Sequence, residues 1–253
     1  MQGQLKVMLR SAIRKAGFDL VRAAPTPSHF HSPHYLRHNA RRLEHLASLR
    51  IPVAGSTVLE VGAGIGDHTH YFTDRGCKVT ITEARWDNLD YLRERYPGQQ
   101  IRFLDMEDPK PVGEGRFDVV HCYGLLYHLG HPERALEFMG ESCSKMLFLE
   151  TCVSFGDEHA INIVGEDIAN RTQAFSGQGC RPTRPWLFDK LKSLFAHVYV
   201  PKTQPNHDEF PLDWSAPDKH QNELSRAVFI ASRAPIDNDM LVPSLVQQQV
   251  RHP

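Results

Sequence analysis

The 253-residue sequence predicts an α/β domain built on a doubly wound, mostly parallel sheet with helices on both faces, and three observations predict it. From residue 57 onward, short apolar runs alternate with segments of helical period. The run Val58-Leu59-Glu60-Val61 passes directly into glycines at 62, 64 and 66 and then a polar helix start, the form of a ligand-binding turn after a first strand. Acidic residues also close three consecutive predicted strands, at the edge where open α/β sheets bind ligands.

The elements follow in order. Leu5, Met8, Leu9, Ile13, Ala16 and Leu20 recur at helical spacing over residues 4–21, with Arg10, Arg14 and Lys15 on other faces. This basic amphipathic helix is expected to pack on the domain or on a second copy; peripheral contact with a membrane surface is the alternative. Residues 24–33 are rich in proline, serine and histidine and read as a linker or a lid on the substrate side, and residues 35–49 resume helical period. Residues 1–50 carry nine Lys or Arg against Asp19 and Glu44, an excess of seven, suited to an anionic partner. Strands are expected at 78–83, 101–105, 117–123, 146–151, 197–200 and 226–231, with helices at 86–95 and 132–140 between them. The domain so defined spans residues 51–233, with an insertion at 152–183 and a C-terminal tail at 234–253.

The spacing of the glycines narrows the ligand. A nicotinamide-binding turn would place its third glycine at 67, where the chain has Asp67. A carboxylate there and another at Glu60 would repel a pyrophosphate, whereas a cationic ligand fits. Glu60-x-Gly62-x-Gly64-x-Gly66 resembles motif I of the class I S-adenosylmethionine (SAM) methyltransferases, and Phe117-Asp118-x-Val120 followed by Gly124-Leu125-Leu126-Tyr127-His128-Leu129 resembles their motif IV. The resemblance covers about residues 45–233. It implies a Rossmann-like, seven-stranded sheet whose last strand inserts antiparallel, SAM as cofactor and S-adenosylhomocysteine as product. Glu83, about 20 residues after the glycines, would accept hydrogen bonds from the ribose hydroxyls. Asp105 would meet the adenine amine, with Met106 on the ring. Glu60 either faces the methionine amino group or caps the glycine loop. Gly62, Ala63, Gly64, Gly66, Ala84 and Tyr123 complete the expected cofactor contacts.

Methyl transfer from a sulfonium is an in-line displacement in which positioning carries most of the rate. A hydroxyl acceptor also needs a base, and His128, after the fourth strand, is the first candidate; packing beside the cofactor is its alternative role. Tyr127 and Tyr123 could offer an aromatic face or a phenol oxygen to the sulfonium. In the insertion and the helix after it, Arg171, Gln173, Arg181, Arg184 and Trp186 are the expected acceptor contacts, joined by His207 from a later polar loop. They suit a small, hydroxyl-rich or anionic acceptor, glycan-like and methylated at oxygen. The rival acceptor is tRNA, which the net charge of −1 and the lack of an RNA-binding module disfavour. From another class, the chain could be a non-catalytic scaffold that keeps the cofactor fold.

Cys77, Cys122, Cys143, Cys152 and Cys180 are odd in number and never in a C-x-x-C pair, so neither disulfides nor a zinc knot is expected. No metal centre is expected at His121, His128 and His131, and His207 with Asp208 and Glu209 is the one alternative cation cluster. Without a long apolar span or a secretory leader, the expectation is a cytoplasmic protein.

Overall fold

Strand β1 (Thr57–Glu60) lies inside an eight-stranded sheet, third from one edge, in the computed structural model, which describes residues 30–113, 115–168, 173–174 and 176–253. The expected basic helix at 4–21 and the acceptor candidate Arg171 lie outside the described residues. On one side of β1 come β2 (Lys78–Glu83) and β3 (Gln100–Phe103), on the other β4 (Phe117–Tyr123) and β5 (Cys143–Cys152), all parallel. Strand β10 (Arg226–Ser232) then inserts antiparallel between β5 and β8 (His197–Pro201). The expected count of seven is corrected to eight by β11 (Leu241–Val242), which pairs with Val200 and Pro201 at the edge. Two residues carry no periodicity, so only pairing defines such a strand.

Alternation along β1 sends Val58 to one face and Leu59 to the other, and a separate apolar core forms on each. Helices α4 (Pro132–Ser142) and α5 (Arg184–Leu194) cover one face through Leu136, Met139, Leu187 and Leu191. The other face takes Leu46 of α1 (Pro33–Ser48), Phe72 of α2 (Thr69–Thr73) and Leu92 of α3 (Trp86–Arg95). Ser32 caps α1 by accepting from the Tyr35 amide, and Pro33 occupies its first turn, where a missing N–H costs nothing.

A buried ionic chain fixes α1 against the sheet. Arg42 Nη1 donates to Glu150 Oε2 at 2.8 Å, Arg226 Nη1 to Glu150 Oε1 at 3.0 Å, and Arg226 Nε to Glu209 Oε2 at 2.5 Å. Losing one partner of such a buried pair strands a charge, a penalty of about 3–5 kcal/mol, so the chain locks the helix in place.

The insertion forms a hairpin of β6 (Ile161–Gly165) and β7 (Gln178–Pro182) that packs over the short turn Leu126–His128. A Cβ on Gly179 would lie 2.5 Å from the Tyr127 carbonyl oxygen, so only glycine allows this approach. The C-terminal segment pairs β12 (Val250–Arg251) with β9 (Thr203–Gln204), and Arg251 Nη1 donates to the carbonyls of Pro205, His207 and Phe210 at 2.9, 2.6 and 2.9 Å. The five cysteines are buried and unpaired. Among the described residues no helix is long and apolar enough to cross a membrane.

Candidate functional site

A cleft opens at the carboxyl edge of β1, β2 and β4, where open α/β sheets bind their ligands. The glycine turn forms its floor. Gly62 has φ 65°, and a Cβ there would meet the Leu125 side chain at 2.7 Å, so glycine is required by both backbone and space. Gly64 donates its amide to Glu83 Oε2 at 2.8 Å, and the amides of Ala84 and Arg85 donate to Glu83 Oε1 at 2.9 Å each. Those three donors take three of the roughly four acceptor positions of the carboxylate and leave about one facing the cleft. Burial raises the Glu83 carboxyl above its ordinary range.

Glu60, at the end of β1, is 2% exposed and accepts from Thr69 Oγ1 at 2.6 Å. Burial pushes it up to about 7, the Thr69 hydrogen bond notwithstanding. A positive group in the cleft would hold it ionised. Asp67, where a dinucleotide turn would have glycine, is held by Arg95 Nη1 at 2.7 Å and Asn39 Nδ2 at 3.1 Å.

Of the expected cofactor contacts, Glu60, Gly62, Ala63, Gly64, Glu83, Ala84, Asp105, Met106 and Tyr123 line the cleft. Gly66 does not. Its carbonyl accepts from Tyr96 Oη at 2.7 Å, and a Cβ on it would meet Tyr96 Cε2 at 2.6 Å, so its small size serves the packing of α3. Tyr123 is buried with a hydroxyl that has no partner in the protein, a donor that a ligand would satisfy.

His128 lies on the cleft wall, and its Nδ1 is 2.5 Å from Glu166 Oε2. Glu166 also accepts from the Ala174 amide at 2.7 Å and from Arg181 Nη2 at 3.3 Å. Burial lowers the His128 pKa, against the opposing pull of Glu166. Burial alone would raise Glu166; His128 and its other donors bring it below the ordinary range. With Nδ1 donating to the carboxylate, Nε2 keeps its lone pair, the arrangement of a base oriented by a third group.

Tyr127, the other catalytic candidate, does not line the cleft. Its hydroxyl points away from the cleft and accepts from Arg226 Nη2 at 3.1 Å, because the turn that aims His128 inward aims its neighbour at β10. The acceptor candidates also divide. Gln173 lines the cleft, and its carbonyl accepts from Arg85 Nη2 at 3.0 Å. Arg181 stands behind Glu166, donating to the Tyr127 and Cys180 carbonyls at 3.0 and 2.8 Å. Arg184 lies over the Trp214 ring at 4.1 Å, and Trp186 packs on the core, because α5 covers a sheet face and not the edge. His207 is buried against His34 and His38 of α1, outside the cleft.

Sequence reasoning missed the wall supplied by α1, where Tyr35, Asn39 and Arg42 line the cleft. Their spacing, four then three residues apart, was a legible signal of one polar helix face. It also missed His68, whose Nδ1 is 3.2 Å from His121 Nε2; burial keeps both imidazoles neutral at this wall. Glu166 left no local signal, since only the hairpin fold brings it to His128.

Residues 32–203 match a family described as a methyltransferase domain. The tRNA U34 carboxymethyltransferase of Actinobacillus succinogenes is 26% identical over 216 residues, covering 76% of this chain and 65% of that protein. The chain thus spans just under two thirds of that relative's length. In fold it is similar to the N-terminal domain of EvdMO1 with SAH bound, at TM-score 0.60 and 23% identity over 79% of this chain and 84% of that one. It is similar also to an S-adenosylmethionine dependent methyltransferase from Mesorhizobium loti, at TM-score 0.58 and 12% identity over 78% of this chain and all of that one.

Proposed function

The chain belongs to the methyltransferase-domain family that residues 32–203 match, and from that premise we propose that it moves a methyl group from SAM to an oxygen of a small, hydroxylated or glycan-like acceptor. The residues present fit the cofactor. The turn at Gly62 and Gly64 gives bare backbone, Glu60 suits an ammonium group, and the remaining acceptor position of Glu83 suits a ribose hydroxyl. Asp105 and Met106 take the base, and the unpartnered Tyr123 hydroxyl offers a further donor. When bound, SAM supplies an electrophilic methyl on a sulfonium.

The observation that carries the chemistry is the His128–Glu166 pair at the cleft. Nε2 of His128 removes the acceptor proton as the oxygen attacks, while Glu166 holds Nδ1–H and stabilises the imidazolium that forms. Leu104, Leu125 and Leu129 line the same cleft and exclude water from the reacting groups. Tyr35, Asn39 and Gln173 are left to touch the acceptor.

The test uses methyl-labelled SAM with free sugars and with tRNA. His128→Ala is expected to keep SAM affinity by calorimetry and to cut turnover about a hundredfold. In Glu166→Gln the His128 pKa loses an upward pull, so the acid limb of the pH–rate profile moves to lower pH. Unchanged turnover in His128→Ala would reduce the histidine to packing. A second reading, RNA as acceptor, is favoured by the likeness to tRNA U34 carboxymethyltransferases. Turnover on tRNA that falls steeply with salt, with none on sugars, would put it first.

A further inference from the structure

Helix α1 and the loop after β9 bring three imidazoles and a carboxylate to one point outside the cleft. His34 and His38 stand one turn apart, so their rings leave the same side of α1. His207 and Glu209 come from the loop that Arg251 clamps. His38, His207 and Glu209 each offer a ligand atom, and these atoms lie within 4.8 Å of one another. All three residues are buried, at 3%, 2% and 7% exposure. His34 stands at the solvent side of this group, with Nε2 3.1 Å from Glu209 Oε1 and its ring centre 5.2 Å from that of His207.

Two features show that this cluster is unfinished as a piece of protein. Nε2 of His38 and Nε2 of His207 are buried with no hydrogen-bond partner, an arrangement that folded chains avoid. Glu209 gives Oε2 to Arg226, with His38 Nε2 3.8 Å from the same oxygen, and turns Oε1 toward His34. The nearby guanidinium groups of Arg42, Arg226 and Arg37 are ion-paired with Glu150, Glu209 and Asp208, which offsets part of their repulsion toward a bound ion.

We propose that His38, His207 and Glu209, with His34 as fourth donor, bind a first-row divalent transition ion, Zn²⁺ foremost, that fastens α1 to the 205–210 loop. Three imidazoles and one carboxylate match the tetrahedral preference of zinc and lack the oxygen-rich shell of Mg²⁺ or Ca²⁺. Donors about 2.0–2.1 Å from a tetrahedral ion lie about 3.3 Å apart, so the rings close in by up to about 1.5 Å. Binding through His207 Nε2 moves that ring's proton to Nδ1 and gives up the long contact from the Glu209 amide, 3.3 Å. Asp208, the third member of the cluster expected from sequence, instead lies 3.8 Å from Arg37 at the surface. Tyr35, Asn39 and Arg42, on the adjoining strip of α1, line the cleft, so the ion secures the cleft wall without entering the chemistry. The site stands whether or not the proposed methyl transfer does.

The full chain, stripped with chelator, is titrated with Co²⁺ while visible ligand-field absorption and thermal unfolding are followed, then challenged with Zn²⁺. One equivalent is expected to bind, to raise the melting temperature by about 5 °C at saturation and to be displaced by Zn²⁺. His207→Gln is expected to abolish binding, and His34→Gln, at an exposed position that does not endanger folding, to weaken it tenfold or more. His159→Gln, in an exposed pair with Asp189 elsewhere, is the control and leaves binding unchanged. Substoichiometric binding by the wild-type chain, or equal affinity in His34→Gln and wild type, overturns the proposal.

Discussion

Replacing Glu60 by glutamine should stabilise the protein in alkali and hardly alter it in acid. In the folded chain burial holds the Glu60 carboxyl at about 7, against 4.5 when free. The native state therefore keeps a proton that the unfolded state releases between those values, and stability falls as pH rises through that window. At about 1.4 kcal/mol per unit, the ionised side chain costs roughly 3 kcal/mol at pH 8 and under about 1 kcal/mol at pH 5. Glutamine fills the same space, still accepts from Thr69 Oγ1 and carries no charge. The melting temperature of Glu60→Gln should thus exceed that of wild type by about 5–10 °C more at pH 8 than at pH 5, by differential scanning calorimetry. If an ammonium group of SAM sits against Glu60, cofactor binding near pH 6.5 should release a fraction of a proton in the wild type alone. Calorimetry in two buffers of different ionisation enthalpy measures that release. A melting-temperature gap that is the same at both pH values would refute the reasoning, since it would mean Glu60 is not a buried, raised acid.

Two further substitutions separate site from scaffold. Glu83→Ala leaves the amides of Gly64, Ala84 and Arg85 without their acceptor and should weaken SAM binding by about 1–3 kcal/mol in calorimetry; undiminished affinity would remove Glu83 from the site. Tyr127→Phe should leave turnover within about twofold while unfolding loses about 1.5–3 kcal/mol, the scale of a hydrogen bond to the Arg226 charge; lost turnover at unchanged stability would restore Tyr127 to the chemistry.

The sheet edge that lines the cleft was legible because its residues follow strand ends. β2 and β4 occupy the spans expected of them, and alternation then dictates where Glu83 and Tyr123 must come out. The acceptor side was poorly legible. Arg184 and Trp186 stand in the polar, aromatic stretch that suggested a pocket, yet α5 turns them onto the core and Trp214. Tyr127 and His128 are adjacent, and which of them enters the cleft depends on a short turn that no periodicity describes.

By itself the sequence determined the order of the seven principal strands and the helices between them, the glycine turn and the acids along the sheet edge, because these follow from local periodicity and from the conformations that glycine alone adopts freely. Tertiary structure alone decided that Glu166 orients His128 from 38 residues away, that Arg42 and Arg226 share Glu150, and that His38 meets His207. Those contacts join segments far apart in the chain. Their partners are chosen by how the hairpin, α1 and the C-terminal strands pack, and nothing in the spacing of neighbouring residues encodes that choice.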